Sequence, residues 1–280
     1  MYECVNPMHP DKVADRIGGA ILDLAYKKCD NPIVAGEMTL GHGVCFIILE
    51  TNVSFNKKEI KEIVNRITKH KPKLILKIVP QDPILARNQR EEVRCGDNGI
   101  FVGNRVLKEE KVLKNLANDI YKHYKTDGKY IIDGHKFIIC QSHCEVNDDW
   151  IYNLIKTKYD KDAEIIINPL GYWTGSEEVD TGSVNRKLGS DMGRNVTGGG
   201  LHFKDISKAD VSVNIYAFLK AQKWKKRIEL NCAIGDTKID GKPYSEVVRI
   251  AKEYIDSVGG FEKFSEWGLI RPTNIDDEIL

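Results

Sequence analysis

The 280-residue chain has no excess of charge of either sign. Lysine and arginine together number 42, aspartate and glutamate 41, and the formal net charge is +1. Proteins that coat nucleic acid carry a clear basic surplus, so nucleic acid is not expected as a partner, although one local basic pocket remains open. No apolar run approaches the roughly 18 residues of a membrane-spanning helix. Residues 1–12 have neither the basic start nor the apolar stretch of a secretory leader. No C-x-x-C occurs. The seven cysteines at 4, 29, 45, 95, 140, 144 and 232 are odd in number and irregularly spaced, which reads as reduced thiols in a cytoplasmic protein. Cys140-Gln-Ser-His143-Cys144 lacks a second ligand pair and is better read as a strand end with semi-buried thiols than as a metal site. Two nucleotide signatures are missing as well: there is no G-x-x-x-x-G-K-S/T loop and no G-x-G-x-x-G after a strand.

What is present suits a folded globular protein, with 41% apolar and 30% charged residues. Val13, Ile17, Ala20, Ile21 and Leu24 recur at helical spacing over 11–28. Two apolar runs, 32–40 and 44–51, flank Gly41-His42-Gly43 and predict a hairpin. A helix over 57–70 and a strand over 73–79 follow. The same order returns as strands 129–132 and 136–140 around Asp133-Gly134, a helix over 146–158 and a strand over 164–168. A shorter third copy starts at 227–234, with a turn at Asp240-Gly241 and a helix over 243–257. Further helices fall at about 110–125 and 205–222. The repetition implies three related α+β lobes, each a small mixed sheet with helices on one face. The segments 81–98 and 169–200 show no period, as functional loops often do not.

The chemistry-bearing residues concentrate in three places. His9-Pro-Asp11-Lys12 sits at a helix start, where free N–H groups and the dipole favour anions and a carboxylate can hold Mg²⁺. Asp180-Thr-Gly-Ser-Val-Asn-Arg186-Lys187 lies in the glycine-rich loop. Gly198-Gly199-Gly200 then leads to Lys204-Asp-Ile-Ser-Lys208-Ala-Asp210, whose two lysines share one helix face. Lysines on a helix are usually a solvated face. Here, after three glycines and with Arg186-Lys187 upstream, they better suit a polyphosphate site.

The ordered set resembles the S-adenosylmethionine synthetase (methionine adenosyltransferase) family. The family's His-Pro-Asp-Lys motif matches 9–12, and Val-Ala-Asp-Arg-Ile follows at 13–17. Gly96-Asp97-Asn98-Gly99 resembles its Gly-Asp-Gln-Gly, 167–171 matches its Ile-Asn-Pro-x-Gly, and 198–200 with 204–210 resemble its triple glycine and Lys-Asp-Pro-Ser-Lys-x-Asp. Departures are Met8 for a glycine, Ile48-Leu49 before Glu50 in place of two glycines, Asn98 for glutamine, and His202-Phe203 where a small residue and glycine are usual. The chain is also much shorter than typical members.

The resemblance implies a synthetase-like α+β fold of three lobes. These are 1–10 plus 110–170 as a central lobe with an N-terminal strand, 11–109 as an N-terminal-type lobe with a gating loop over 81–95, and 171–280 as a C-terminal lobe. It implies the joining of ATP and L-methionine, with sulfur attacking ribose C5′ and the displaced triphosphate then split to pyrophosphate and phosphate. It nominates His9, Lys129, Arg186, Lys187, Lys204 and Lys208 for catalysis on the triphosphate. ATP would also meet Asp127, Tyr172, Trp173, Asp180 and Leu201. Methionine would meet Glu50, Gln81, Asp180 and Lys208, and Glu3 matches a further acidic position. Asp11 and Asp210 match Mg²⁺ positions that can come from opposite subunits, and Glu37 matches a K⁺ position. The implied assembly is a homodimer with shared active sites. Two other functions stay open: a nucleotide triphosphatase without alkyl transfer, and a non-catalytic regulatory subunit or nucleotide sensor.

Overall fold

The computed structural model describes residues 1–84, 94–195 and 199–273. A four-stranded mixed sheet is ordered β4-β3-β2-β9, from β2 (Val34–Gly41), β3 (Val44–Thr51), β4 (Lys73–Val79) and β9 (Thr181–Ser183). The β2–β3 hairpin turns through His42 and Gly43, both at positive φ, as expected from the glycines. The strand β4 runs parallel to β3, with Glu50 opposite Val79. Alternate residues Met38, Leu40, Cys45, Ile47 and Leu49 are buried beneath α1 (Pro10–Lys28) and α2 (Lys57–Thr68), which share their hydrophobic cluster. Proline stands at the first turn of α1, where its missing N–H costs nothing.

A second sheet, β1-β6-β7-β8, uses β1 (Tyr2–Val5), β6 (Gly128–Asp133), β7 (Lys136–Gln141) and β8 (Glu164–Ile167). Its core packs Tyr130, Ile132, Phe137 and Ile139 against α3 (Lys108–Tyr124) and α4 (Asp149–Leu154). The predicted helix over 146–158 starts later, at Asp149, and continues as a π-helical turn, Ile155–Tyr159. The hairpin turn is Gly134-His135, one residue beyond the expected pair.

The third unit departs from the simple repeat. Among the described residues its strand β10 (Ile228–Cys232) has no hairpin neighbour; it pairs antiparallel with β5 (Gly99–Gly103). The strands β11 (Lys238–Ile239) and β12 (Lys242–Pro243) are two residues each. The helix α6 (Ala209–Trp224) contributes to this core, with Val213 and Ala217, and to that of the first sheet, with Val211 and Ile215. Short α5 (Leu188–Met192), α7 (Tyr244–Ser257) and α8 (Phe261–Trp267) complete the elements. No helix among the described residues is long and apolar enough to cross a membrane.

Phe203 locks β2 to α1. At φ 59 it sits in left-handed conformation, and a Cβ added at Gly18 or Gly36 would lie only 2.7 or 2.3 Å from its side chain. The two glycines are therefore the complement of a bulky residue at 203.

Candidate active site

The first turn of α1 carries the motif at 9–12. His9 is the N-cap, and its Nδ1 accepts from the Asp11 N–H at 3.2 Å. Asp11 Oδ1 accepts from the Ser183 N–H at 2.8 Å, and its Oδ2 accepts from Lys187 Nζ at 2.7 Å. Ser183 is placed there because β9 adds to the edge of β2, with Thr39 opposite Ser183. Asp11 and Lys187 are thus partners within one chain.

Asp127 and Lys129 enter from the second sheet. The loop before β6 is held by Asn6, whose Nδ2 donates to the Thr126 carbonyl, and by Gln141, whose Nε2 donates to the Thr126 and Asp127 carbonyls. Tyr130 Oη donates to Gln141 Oε1 at 2.7 Å and accepts from Asn6 Nδ2. This network leaves the Asp127 carboxyl buried, with Oδ1 unpartnered among the described residues. Burial pushes Asp127 up to about 7, with Asp180 and Asp11 adding and Lys129 and Lys187 opposing. His9 goes the other way. Burial, then Lys187 and Lys129, push its imidazole down to about 3, so it is neutral at physiological pH. Its Nε2 is buried without a partner among the described residues. Burial would raise Asp11, but the hydrogen bonds from Lys187 and Ser183 outweigh it and leave the carboxyl below its ordinary range. His9, Asp11, Asp127, Lys129, Asp180 and Lys187 therefore share one electrostatic neighbourhood.

Trp173 borders it. Gly175 lies against both Trp173 and Asp127, and Trp173 Nε1 donates to Asn168 Oδ1 at 3.1 Å. Asn168 is itself fixed by donation to the Gln141 and Cys144 carbonyls, which gives the stretch at 167–171 a physical role. Tyr172 and Arg186 are exposed.

Lys204, Lys208 and Asp210 form a second group at the start of α6. Lys204 Nζ lies 2.6 Å from Asp210 Oδ2, and the Gly199 N–H donates to Asp210 Oδ1 at 3.2 Å. Lys208 is the N-cap residue, and Leu201 is buried beside them in sequence. No hydrogen bond or ion pair among the described residues joins this group to the His9 group. Glu37 and Glu50 are exposed on the open face of the first sheet. The parallel register brings Glu50 and Gln81 to one end of it, since Gln81 follows two residues after Val79. Glu3 lines a separate cleft beside α3. The expected gating loop lies in large part, at 85–93, outside the described residues.

Sequence reasoning missed the buried cluster under the motif. Lys12 Nζ donates to Asp191 Oδ1 at 2.6 Å and Asp15 Oδ2 at 3.0 Å. His202 Nε2 lies 2.9 Å from Asp191 Oδ2, and its Nδ1 is 3.1 Å from Ser265 Oγ. Asp15, Asp191 and His202 have metal-like spacing, but the Lys12 ammonium already supplies the cation among them. Burial opposes charge on Lys12, yet Asp191 and Asp15 outweigh it and hold the ammonium above its ordinary range. The cluster also fixes the loop that carries Arg186 and Lys187: Asp15 Oδ1 accepts from the Asn185 N–H, and Asn185 Oδ1 accepts from the His202 N–H, each at 2.8 Å. The available signal was Lys12 and Asp15 one helical turn apart; their distant partners had none.

No family model matches the chain. An S-adenosylmethionine synthase from Helicobacter pylori is 27% identical over 266 residues, covering 75% of this chain and 69% of the relative. One from Desulfosudis oleivorans is 27% identical over 274 residues, covering 76% and 70%. Among solved structures, one described as an unusual S-adenosylmethionine synthetase from Campylobacter jejuni superposes with a TM-score of 0.74 at 18% identity, covering 96% of this chain and 93% of that one. The resemblance carried by the motifs thus extends to overall sequence and to fold, both of which are similar to those of S-adenosylmethionine synthetases.

Proposed function

We propose that the protein is a compact methionine adenosyltransferase acting in the cytoplasm, which forms S-adenosylmethionine from ATP and L-methionine. The observation that carries this is the His9 neighbourhood, where a neutral buried imidazole, two lysines and three carboxyl groups meet beside Trp173. Displacing triphosphate from ribose C5′ builds negative charge on the leaving group. Fixed ammonium groups in a water-poor site stabilise that charge without reorganising. Lys187 and Lys129 hold this role, with Arg186, Lys204 and Lys208 completing the phosphate cradle. His9 Nε2 is free to contact a phosphate oxygen. Asp127 and Asp180 orient the nucleoside, Tyr172, Trp173 and Leu201 bound the adenine pocket, and Glu50, Gln81, Asp180 and Lys208 receive methionine under the 81–95 loop.

The metal fit differs between the two ions. Asp11 and Asp210 are each paired with a lysine assigned to the triphosphate, and these two carboxylates would hold Mg²⁺ while Lys187 and Lys204 meet phosphate. Mg²⁺ held there would neutralise phosphate oxygens. Glu37 offers one carboxylate on an open sheet face and belongs to no cluster of His, Cys, Asp or Glu among the described residues, so it does not by itself make a K⁺ site.

The assembly proposed is a homodimer. Phe46, Ile48 and Ile75 are 48%, 56% and 42% exposed on that open face, an apolar surface that an isologous partner would cover. The test of function is an incubation of the purified chain with ATP, Mg²⁺, K⁺ and methionine, scored for S-adenosylmethionine and phosphate. Both products support the proposal. Phosphate alone selects a triphosphatase, and neither product selects a nucleotide sensor.

A further inference from the structure

A cleft of about 170 Å³ opens between β1, α3 and the α5 region, outside the candidate active site. Its most unusual wall is Lys114, only 2% exposed. The Lys114 ammonium donates one hydrogen bond, to Ser190 Oγ at 3.1 Å, and lies 5.4 Å from the Trp267 ring centroid. Among the described residues no carboxylate pairs with it. An ammonium has three donors, and a buried one without a counter-ion is costly. Burial accordingly pushes Lys114 below its ordinary range. A second cation, Arg194, lines the same cleft, with its guanidinium over the Tyr2 ring at 5.2 Å.

We propose that this cleft binds a small monocarboxylate with a short apolar body. The carboxylate meets the spare donors of Lys114, with Arg194 adding charge from the other wall, and the body lies against Leu113, Cys4 and Ile270. Glu3 and Glu110 also line the cleft. The two carboxylates repel a dianion more strongly than a monoanion, so phosphate is discriminated against. The volume is near the ~150 Å³ of cavities that accept benzene, which sets the body at about six non-hydrogen atoms in all.

The test uses the full chain and carboxyl-labelled butyrate, followed by ¹³C NMR titration with saturating ATP present to occupy the candidate active site. Saturable one-to-one binding is expected, about tenfold weaker in Lys114→Met, as fits loss of a charge-assisted hydrogen bond. Arg194→Ala, at an exposed position, should weaken it about threefold and serves if Lys114→Met does not fold. Inorganic phosphate should bind more weakly than butyrate. The assignment is overturned by non-saturable binding, by unchanged affinity in the variants that fold, by tighter binding of phosphate, or by loss of butyrate when ATP is added.

Discussion

Lys12 Nζ and Asp191 Oδ1 meet at 2.6 Å with neither side chain exposed beyond 1%. The ammonium holds α1 to α5, which follows directly on Lys187, so the pair sets the distance between the two elements that carry Asp11 and Lys187. Removing one member of a buried ionic cluster leaves the other charges uncompensated. Lys12→Met is expected to cost about 3–5 kcal/mol in urea unfolding. Ser265→Ala, which removes only a neutral partner of His202, should cost about 1 kcal/mol. Equal small losses from both would mean that the cluster carries no net charge burden.

Lys187→Met should lower turnover at saturating ATP by about 100- to 1,000-fold, the usual loss for one oriented donor on a developing anion. The far-UV circular dichroism should not change, because Lys187 is partly exposed and Asp11 keeps its bond from Ser183. Turnover near that of the parent chain would remove Lys187 from the site.

The strongly periodic parts of the fold were legible in the sequence. In α1, Val13, Ile17 and Ile21 mark the buried face, and in the first hairpin the alternation of β3 is direct. The strands β5 and β9 were not legible. Both are short and rich in glycine, and their partners β10 and β2 lie more than a hundred residues away, so nothing local specifies the pairing. The site divides in the same way. The expectation of phosphate chemistry rests on the residue types at 9–12, 186–187 and 204–210. The pairing of Asp11 with Lys187 depends on β9 reaching β2, and the burial of Lys12 depends on Asp191 and His202, positions that only the tertiary structure brings together.

Asp127 offers a pH test with a definite sign. Its folded value, about 7, lies above the ordinary 3.8 because burial penalises the carboxylate. The folded state therefore holds a proton that the unfolded chain releases between about pH 4 and 7, and this group's contribution to stability falls as pH rises through that window. Asp127→Asn removes the titration. The variant should gain roughly 2–3 kcal/mol relative to the parent chain between pH 5 and pH 8 in urea melts. A parallel pH dependence in both proteins would refute the elevated value.

The separation of the Lys187 and Lys204 groups leads to a prediction about assembly. Both groups suit phosphate, yet no hydrogen bond or ion pair among the described residues joins them. In an isologous dimer, one subunit's Lys187 group can face the other's Lys204 group across the covered sheet faces. Two inactive variants, Lys187→Met and Lys204→Met, should then restore activity when their subunits are exchanged. A heterodimer would hold one doubly altered site and one intact site. With random pairing, half the dimers are mixed and each has one working site of two, so activity should return to about a quarter of the parent level. Phe46→Glu supplies the control, since a charge on the apolar sheet face should yield monomers in sedimentation and abolish the recovery. Recovery absent despite demonstrated exchange would put both lysine groups in one chain's own site, and a parent chain that sediments as a monomer would refute the dimer itself.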